Sequence, residues 1–239
     1  MIYTNIRPAV FLERPNRFIA RVRLDGTETT VHVKNTGRCG ELLLPGARVY
    51  LEDFTGRMGS RKLAYSLIAV EKQRENAPPL LVNMDAQAPN QVTKEALLSG
   101  ALSLPRMGRL EIVKPEAVCG NSRLDFFVRD EAGREGYLEV KGVTLEHDGV
   151  ASFPDAPTER GIKHLRELSE LAGQGIRAYV LFVIQMGQMH FFRPNAQRHP
   201  AFAEALREAV CRGVTALAYD CLVTPNTLAI HAPVPIRLD

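Results

Sequence analysis

The chain contains no tryptophan, no CxxC pair, no HxH or HxxxH spacing, and no apolar run near the roughly 20 residues that cross a bilayer. Its four cysteines, Cys39, Cys119, Cys211 and Cys221, are scattered. That spacing argues against a zinc site or a disulfide framework and for reduced thiols. With the histidines equally dispersed, any bound metal is expected to be a hard one held by carboxylates. The first residues, MIYTNIRPAVFLERPNRF, have no continuous apolar core ahead of their charges, so they do not read as a secretory signal. The expected location is the cytoplasm. Neither internal repeats nor low-complexity segments occur, which removes solenoids and fibrous folds.

What is present is an ordinary composition with an uneven charge distribution. The 239 residues are 45% hydrophobic and 24% charged, enough to bury one large core or two small ones. Residues 1–80 hold 13 Lys and Arg against 8 Asp and Glu, while the remainder hold 17 against 19. A basic first third suggests a polyanion-binding module joined to a different one.

That first third reads as short strands. RFIARVRL alternates, placing Phe18, Ala20, Val22 and Leu24 on a core-facing side and Arg17, Ile19, Arg21 and Arg23 on the other. TTVHV, RVYLEDF and LAYSLIAVEKQ follow, separated by turn residues, with NTG (Asn35, Thr36, Gly37) taken as a plain turn. About five strands in about 75 residues without helical periodicity suggest a small β-barrel, the OB-fold being the expected one at this size. Arg17, Arg21 and Arg23 are candidates to track a phosphate backbone. The aromatic half of that recipe lacks support, because Phe18 is expected inside.

NAPPLLVN reads as a connector between modules, and the division is set at residues 1–80 and 81–239. Beyond it the expected order is α-β-β-β-α-β, then α and β. A helix lies in PNQVTKEALLSGAL with Thr93 as a possible start, and three strands follow in RLEIVK, SRLDFFV and GYLEVKGVTL. A second helix runs from about Thr158 to Ala172, with Ile162, Leu165, Leu168 and Ala172 as its apolar stripe. IRAYVLFVIQM is continuously apolar, as a strand buried on both faces should be. Its β-branched and aromatic content also rules out a helix-turn-helix reading of the preceding segment.

The chemistry concentrates on the second and third strands. Alternation puts Glu139 and Lys141 on one side of GYLEVKGVTL, opposite Leu138 and Val140. Pairing this strand with SRLDFFV about a loop centred near Ala132 sets Asp125 across from Glu139 and Arg123 across from Lys141. The same reasoning about a loop centred near Val118 sets Glu111 across from Asp125. Three carboxylates so placed repel by about 1 kcal/mol or more per pair, unless a cation sits among them. Such a group suits Mg²⁺ or Mn²⁺, with Asp125 and Glu139 as metal ligands. Lys141 then orients a water or stabilises developing charge. Arg123 either contacts nucleic acid or neutralises the acidic group. On the following helix Arg160, Lys163, His164 and Arg166 offer a basic side where a phosphate could be clamped. The bland alternative for Glu139 and Lys141 is a surface ion pair worth about 0–1 kcal/mol.

Asp-x13-Glu-x-Lys on these strands resembles the PD-(D/E)XK nuclease superfamily. A closer resemblance spans nearly the full chain. VKNTG with LPG, PNQVTKEAL, SRLDFFV, LEVKGVTL and above all FPDAPTERGIKHLREL look like the sugar fermentation stimulation protein A (SfsA) family. The resemblance implies an OB-like N-terminal domain, a nuclease-like C-terminal domain, DNA binding and a role in regulating sugar-utilisation genes. It carries the family's acidic and lysine positions onto Asp125, Glu139 and Lys141. A third carboxylate stays open between Glu95, the usual superfamily location on the preceding helix, and Glu111, favoured by strand pairing. Three functional expectations follow: a Mg²⁺- or Mn²⁺-dependent phosphodiesterase acting on DNA or on RNA, with DNA favoured, a non-catalytic DNA-binding regulator on a nuclease scaffold, and an RNA- or nucleotide-processing enzyme using the same carboxylates.

Overall fold

The structure, a computed structural model, describes residues 1–35, 37–75, 77–119 and 122–239. Thr36 of the expected NTG turn lies outside them. Around it, the Asn35 side chain accepts a hydrogen bond from the Gly37 amide at 2.8 Å, which is turn geometry.

Six strands form the N-terminal part: β1 (Ile6–Asn16), β2 (Ile19–Leu24), β3 (Thr27–Val33), β4 (Arg48–Asp53), β5 (Tyr65–Arg74) and β6 (Ala77–Asn83). They run in the order β3-β2-β1-β4-β5-β6. A parallel pairing of β3 with β5 through His32–Ser66 and Val33–Leu67 closes the first five into a barrel. Inward residues such as Phe11, Val22, Val31, Val49, Leu51, Leu67 and Val70 fill it. Alternation of β2 places Ala20, Val22 and Leu24 inside as expected. It does not extend back to Phe18, which lies in the turn before β2 and is 48% exposed. The segment read as a connector (Asn76 aside) is strand β6, paired antiparallel to β5 at the sheet edge. There Pro78 and Pro79 forfeit no interior ladder bond. The expected division at residue 80 falls inside this strand.

The C-terminal part begins with α1 (Ala88–Ser99), followed by β7 (Leu110–Cys119), β8 (Ser122–Asp130), β9 (Glu135–Val143), β10 (Leu145–His147), β11 (Val150–Phe153) and α2 (Glu159–Gly173). It ends with β12 (Arg177–Ile184), β13 (Phe191–Pro194), α3 (Pro200–Cys211), β14 (Thr215–Thr224) and β15 (Thr227–Pro233). Helix α1 starts at Ala88 with a proline in its first turn, five residues before the expected Thr93, which is buried in its interior. Helix α2 begins after Thr158, whose hydroxyl accepts from the Gly161 amide.

The main sheet runs β15-β14-β12-β9-β8-β7, with β12 parallel to both neighbours. On β12, Tyr179, Leu181 and Val183 pack with α1, while Val180, Phe182 and Ile184 pack with α2 and α3. This two-sided burial is why the strand is continuously apolar. The expected α-β-β-β-α-β order holds. A three-stranded sheet of β10, β11 and β13, too short to show a sequence pattern, is added to it. Barrel and sheet are tied by Lys72 to Glu146 at 2.5 Å, by Lys34 to Asp85 at 2.8 Å and by Gln185 to Asn83 at 3.0 Å.

A candidate carboxylate–lysine site between two helices

Strand β9 places Leu138 and Val140 under α1 and turns Glu139 toward α2. The β8–β9 register, Phe126–Leu138 and Phe127–Tyr137, is the one the loop near Ala132 demands. At Asp125 β8 changes face: Phe126 and Val128 pack under α1, whereas Leu124 joins the opposite cluster. The Asp125 carboxylate accepts from the Val140 amide at 2.8 Å and from the Asn90 side chain at 2.8 Å. It thus sits one strand in from the sheet edge, fixed by β9 and by α1.

Glu139 is only 3% exposed. Its Oε1 accepts from Lys141 Nζ at 2.5 Å and makes a very short bond with His164 Nδ1. Its Oε2 is buried and has no hydrogen-bond partner among the described residues. Burial would raise the Glu139 carboxyl, but His164 and Lys141 outweigh it and hold the group below the ordinary range. Asp125 goes the other way. Burial, reinforced by the Glu139 charge, pushes it up against the pull of the Val140 amide, Asn90 and Lys141. Two carboxylates pushed apart in this way, one with an orphaned buried oxygen, fit a hard cation. Among the described residues no cluster of three or more Asp, Glu, His or Cys side chains closes around one point.

The third-carboxylate expectations divide. Strand β7 pairs Pro115 with Phe126 and Ala117 with Leu124, so Glu116 lies across from Asp125. Glu111 does not, being five residues away and exposed at an irregularity in the pairing. The reason is that β7 continues through Pro115 to Cys119, where a loop was expected. Glu116 adopts φ 52° and pairs with Arg123 at 3.3 Å on the exposed edge of the site. Glu95 lies on α1 and lines, with Asn90, Lys94, Glu116, Asp125 and Lys34, a cleft of about 580 Å³. Its Oε2 is held by the Met1 ammonium at 2.5 Å and its Oε1 by Gln91 at 2.8 Å.

The basic helix side is only partly as expected. Arg160, Lys163 and Arg166 are exposed, and Lys163 sits 3.6 Å from Glu167. His164 is 5% exposed and cannot meet a nucleic acid at the surface. It holds Glu139, lies 3.5 Å from Lys141 Nζ, and accepts from Arg160 Nε at 3.4 Å. The signal was available: His164 shares the buried side of α2 with Gly161, Leu165 and Leu168. Asn90 carried no comparable signal. On the barrel Arg17, Arg21 and Arg23 are all exposed, but Arg21 is engaged by Glu13 at 2.9 Å and Glu28 at 3.7 Å.

A closed five-stranded barrel followed by a restriction-endonuclease-like α/β domain with its acidic and lysine residues on the β8–β9 hairpin defines a two-module protein of nuclease-like architecture. Comparison with known proteins agrees. The family described as "SfsA N-terminal OB domain" matches residues 12–77, and "Sugar fermentation stimulation protein RE domain" matches residues 87–227. The chain belongs to the sugar fermentation stimulation protein family. It is 49% identical over 239 residues to a sugar fermentation stimulation protein homolog of Desulfitobacterium hafniense, covering 100% of this chain and 99% of that protein. To the homolog of Clostridium beijerinckii it is 45% identical over 238 residues, with both chains covered completely. The solved structure of Pyrococcus furiosus SfsA in complex with Ca²⁺ is similar at a TM-score of 0.84 and 27% identity, covering 99% of this chain and 98% of that one.

Proposed function

We propose that this protein is a divalent-metal-dependent phosphodiesterase acting on nucleic acid, DNA being the favoured polymer. The observation that carries the reading is the buried, unpartnered Oε2 of Glu139 beside Asp125 and Lys141. Asp125 and Glu139 hold the cation, Mg²⁺ or Mn²⁺ by their oxygen chemistry, and the Ca²⁺ bound by the Pyrococcus relative supports a hard divalent ion. Such an ion polarises a phosphoryl oxygen and acidifies a bound water. Lys141 donates to Glu139 and presents its ammonium to the reacting phosphate, where negative charge grows as water attacks phosphorus and the P–O ester bond breaks. His164 keeps Glu139 and Lys141 in place. Residues up to about 80 form the strand-holding barrel, with Arg17, Arg21 and Arg23 on its surface. From about 81 onward lies the nuclease-like domain, where Arg160 and Lys163 contact the backbone beside the site and Glu95 is the reserve carboxylate facing the cleft. A cytoplasmic setting suits its free thiols.

The test is incubation of wild type and Lys141→Ala with labelled single- and double-stranded DNA and RNA, each with Mg²⁺, Mn²⁺ or chelator. Metal-dependent cleavage that falls by about 10²–10³-fold in the variant is expected; equal cleavage by both proteins sinks the assignment. A second reading has one observation in its favour. Glu95 and Glu116 are both engaged by cations, which leaves two carboxylates where a third would aid turnover. On that reading the protein binds DNA without cutting it, as a regulator of sugar-utilisation genes would. Binding that ignores metal, with no cleavage under any condition, is its signature.

A further inference from the structure

The barrel carries an apolar recess that the proposed chemistry does not use. Its floor is the β2–β3 pair at Ile19 and His32, one wall is Phe18 in the β1–β2 turn, and the other is Arg61, Lys62 and Leu63 in the loop between β4 and β5. The recess measures about 330 Å³, at the small end of ligand pockets. Phe18 is held open by the turn: its amide donates to Asn16 Oδ1 at 2.9 Å and its carbonyl accepts from the Val33 amide at 2.8 Å. The backbone at Phe18 is pinned by these bonds, and the residue, 48% exposed, forms one wall of the recess.

The charged side chains that line the recess, Arg61 and Lys62, are both cationic. Arg17 stands 5.1 Å from the Phe18 ring centroid, and Arg61 stacks 3.7 Å from that of Phe54 while bonding Ser66 Oγ at 2.5 Å. Lys62 is exposed at the rim, and no carboxylate lines the recess. His32 on the floor is lowered first by burial and then by the Arg61 and Lys34 charges, against an upward pull from Asp85. The occupant that matches an apolar slot with a cationic rim is a flat ring attached to an anionic backbone.

We infer that this recess is a stacking subsite for an unpaired nucleobase, so that the barrel takes single-stranded nucleic acid with one base on Phe18 and the flanking phosphates on Arg17, Arg61 and Lys62. In a duplex the base faces are occupied by neighbouring bases and cannot reach the ring. The inference rests on the nucleic-acid reading above and adds the form of the polymer.

The test uses the full chain with chelator, so that cleavage does not interfere. Fluorescence anisotropy of labelled oligo(dT), free or annealed to oligo(dA), is titrated over a range of salt. Wild type is expected to bind the single strand more tightly. Phe18→Ala should lower that affinity by about 5- to 100-fold, leave duplex affinity unchanged and preserve the slope of log affinity against log salt, because no phosphate contact is lost. Phe18→Tyr should restore most of the affinity, and unchanged melting temperatures would show both variants folded. Unaltered single-strand binding by Phe18→Ala, or equal losses for single strand and duplex, overturns the subsite. If wild type binds neither polymer, the nucleic-acid reading fails and takes the subsite with it. A recess that instead captures an aromatic peptide while ignoring oligo(dT) overturns it as well.

Discussion

The two halves of the molecule use charge in opposite ways. On strand β2 of the barrel, arginines stand in solvent, and Arg21 is paired there with Glu13 and Glu28. In the α/β domain the decisive charges are buried: Glu139 with Lys141 and His164, and Glu146 with Lys72. Exposed pairs contribute about 0–1 kcal/mol because water screens them. A buried carboxylate has already lost its hydration, so its remaining partners are worth several times more. Glu139 lies on β9 inside the main sheet and Glu146 on β10 at the edge of the small one, and each relies on the cation that faces it. On the barrel, charge is cheap and suits a loose electrostatic grip on a polyanion.

The largest stability loss should follow from stranding a buried carboxylate. Lys72→Met leaves Glu146 without its ammonium and cuts the tie between barrel and sheet; about 3 kcal/mol is expected, read as a lower midpoint in urea. His164→Ala leaves Glu139 with Lys141 alone and opens a space beneath α2, for about 2 kcal/mol, and it should slow any metal-dependent cleavage as well. A loss below about 0.5 kcal/mol in both variants would erase the contrast between the halves.

Acid should weaken the α/β domain through its depressed carboxylates. Burial alone would raise Asp130, but the amides of Gly108 and Arg134 and the Arg134 guanidinium hold it at about 2. Glu146 is likewise lowered: Lys72 and the Gly149 amide outweigh its burial. A depressed folded-state pKa contributes stability that is full above the ordinary carboxylate range and disappears as pH falls through the folded value. Asp130→Asn should therefore lower the melting temperature most near pH 7, with the gap to wild type closing between about pH 4 and pH 2. A gap that stays constant over that range would show that the carboxylate's charge is not what closes the β8–β9 hairpin.

The sequence revealed elements whose pattern is local and hid those whose pattern is not. The β8–β9 register was legible because DEAGREG marks one unambiguous turn, and both flanking strands alternate up to it. The β7–β8 register was not, since Pro115 and the irregular Glu116 made KPEAV resemble a loop when it is strand, and five residues of displacement moved Glu111 out of the site. Phe18 departs from the alternation for a related reason: the strand begins only at Ile19, and Phe18 still belongs to the turn before it. His164 was read by its charge, although its place among Gly161, Leu165 and Leu168 already put it inside. Asn90 becomes visible only when α1 packs across β8.

The smallest effect on folding belongs to the barrel, and there the comparison can be sharpened within one strand. Arg21 and Arg23 are neighbours on the exposed face of β2, but Arg21 is already engaged by two carboxylates. Reversing either charge should change stability by no more than about 0.5 kcal/mol, since neither side chain is buried. Binding should separate them. Arg23→Glu removes a cation open to phosphate, so it should weaken polyanion binding several-fold and reduce the salt slope by about 1. Arg21→Glu should weaken binding less, because part of that charge is spent on Glu13 and Glu28. Equal losses of affinity would mean that the polyanion pulls Arg21 away from its partners, making the whole β2 face the grip. No loss from either would move the grip off β2, to the turn and loop around Phe18 and Arg61.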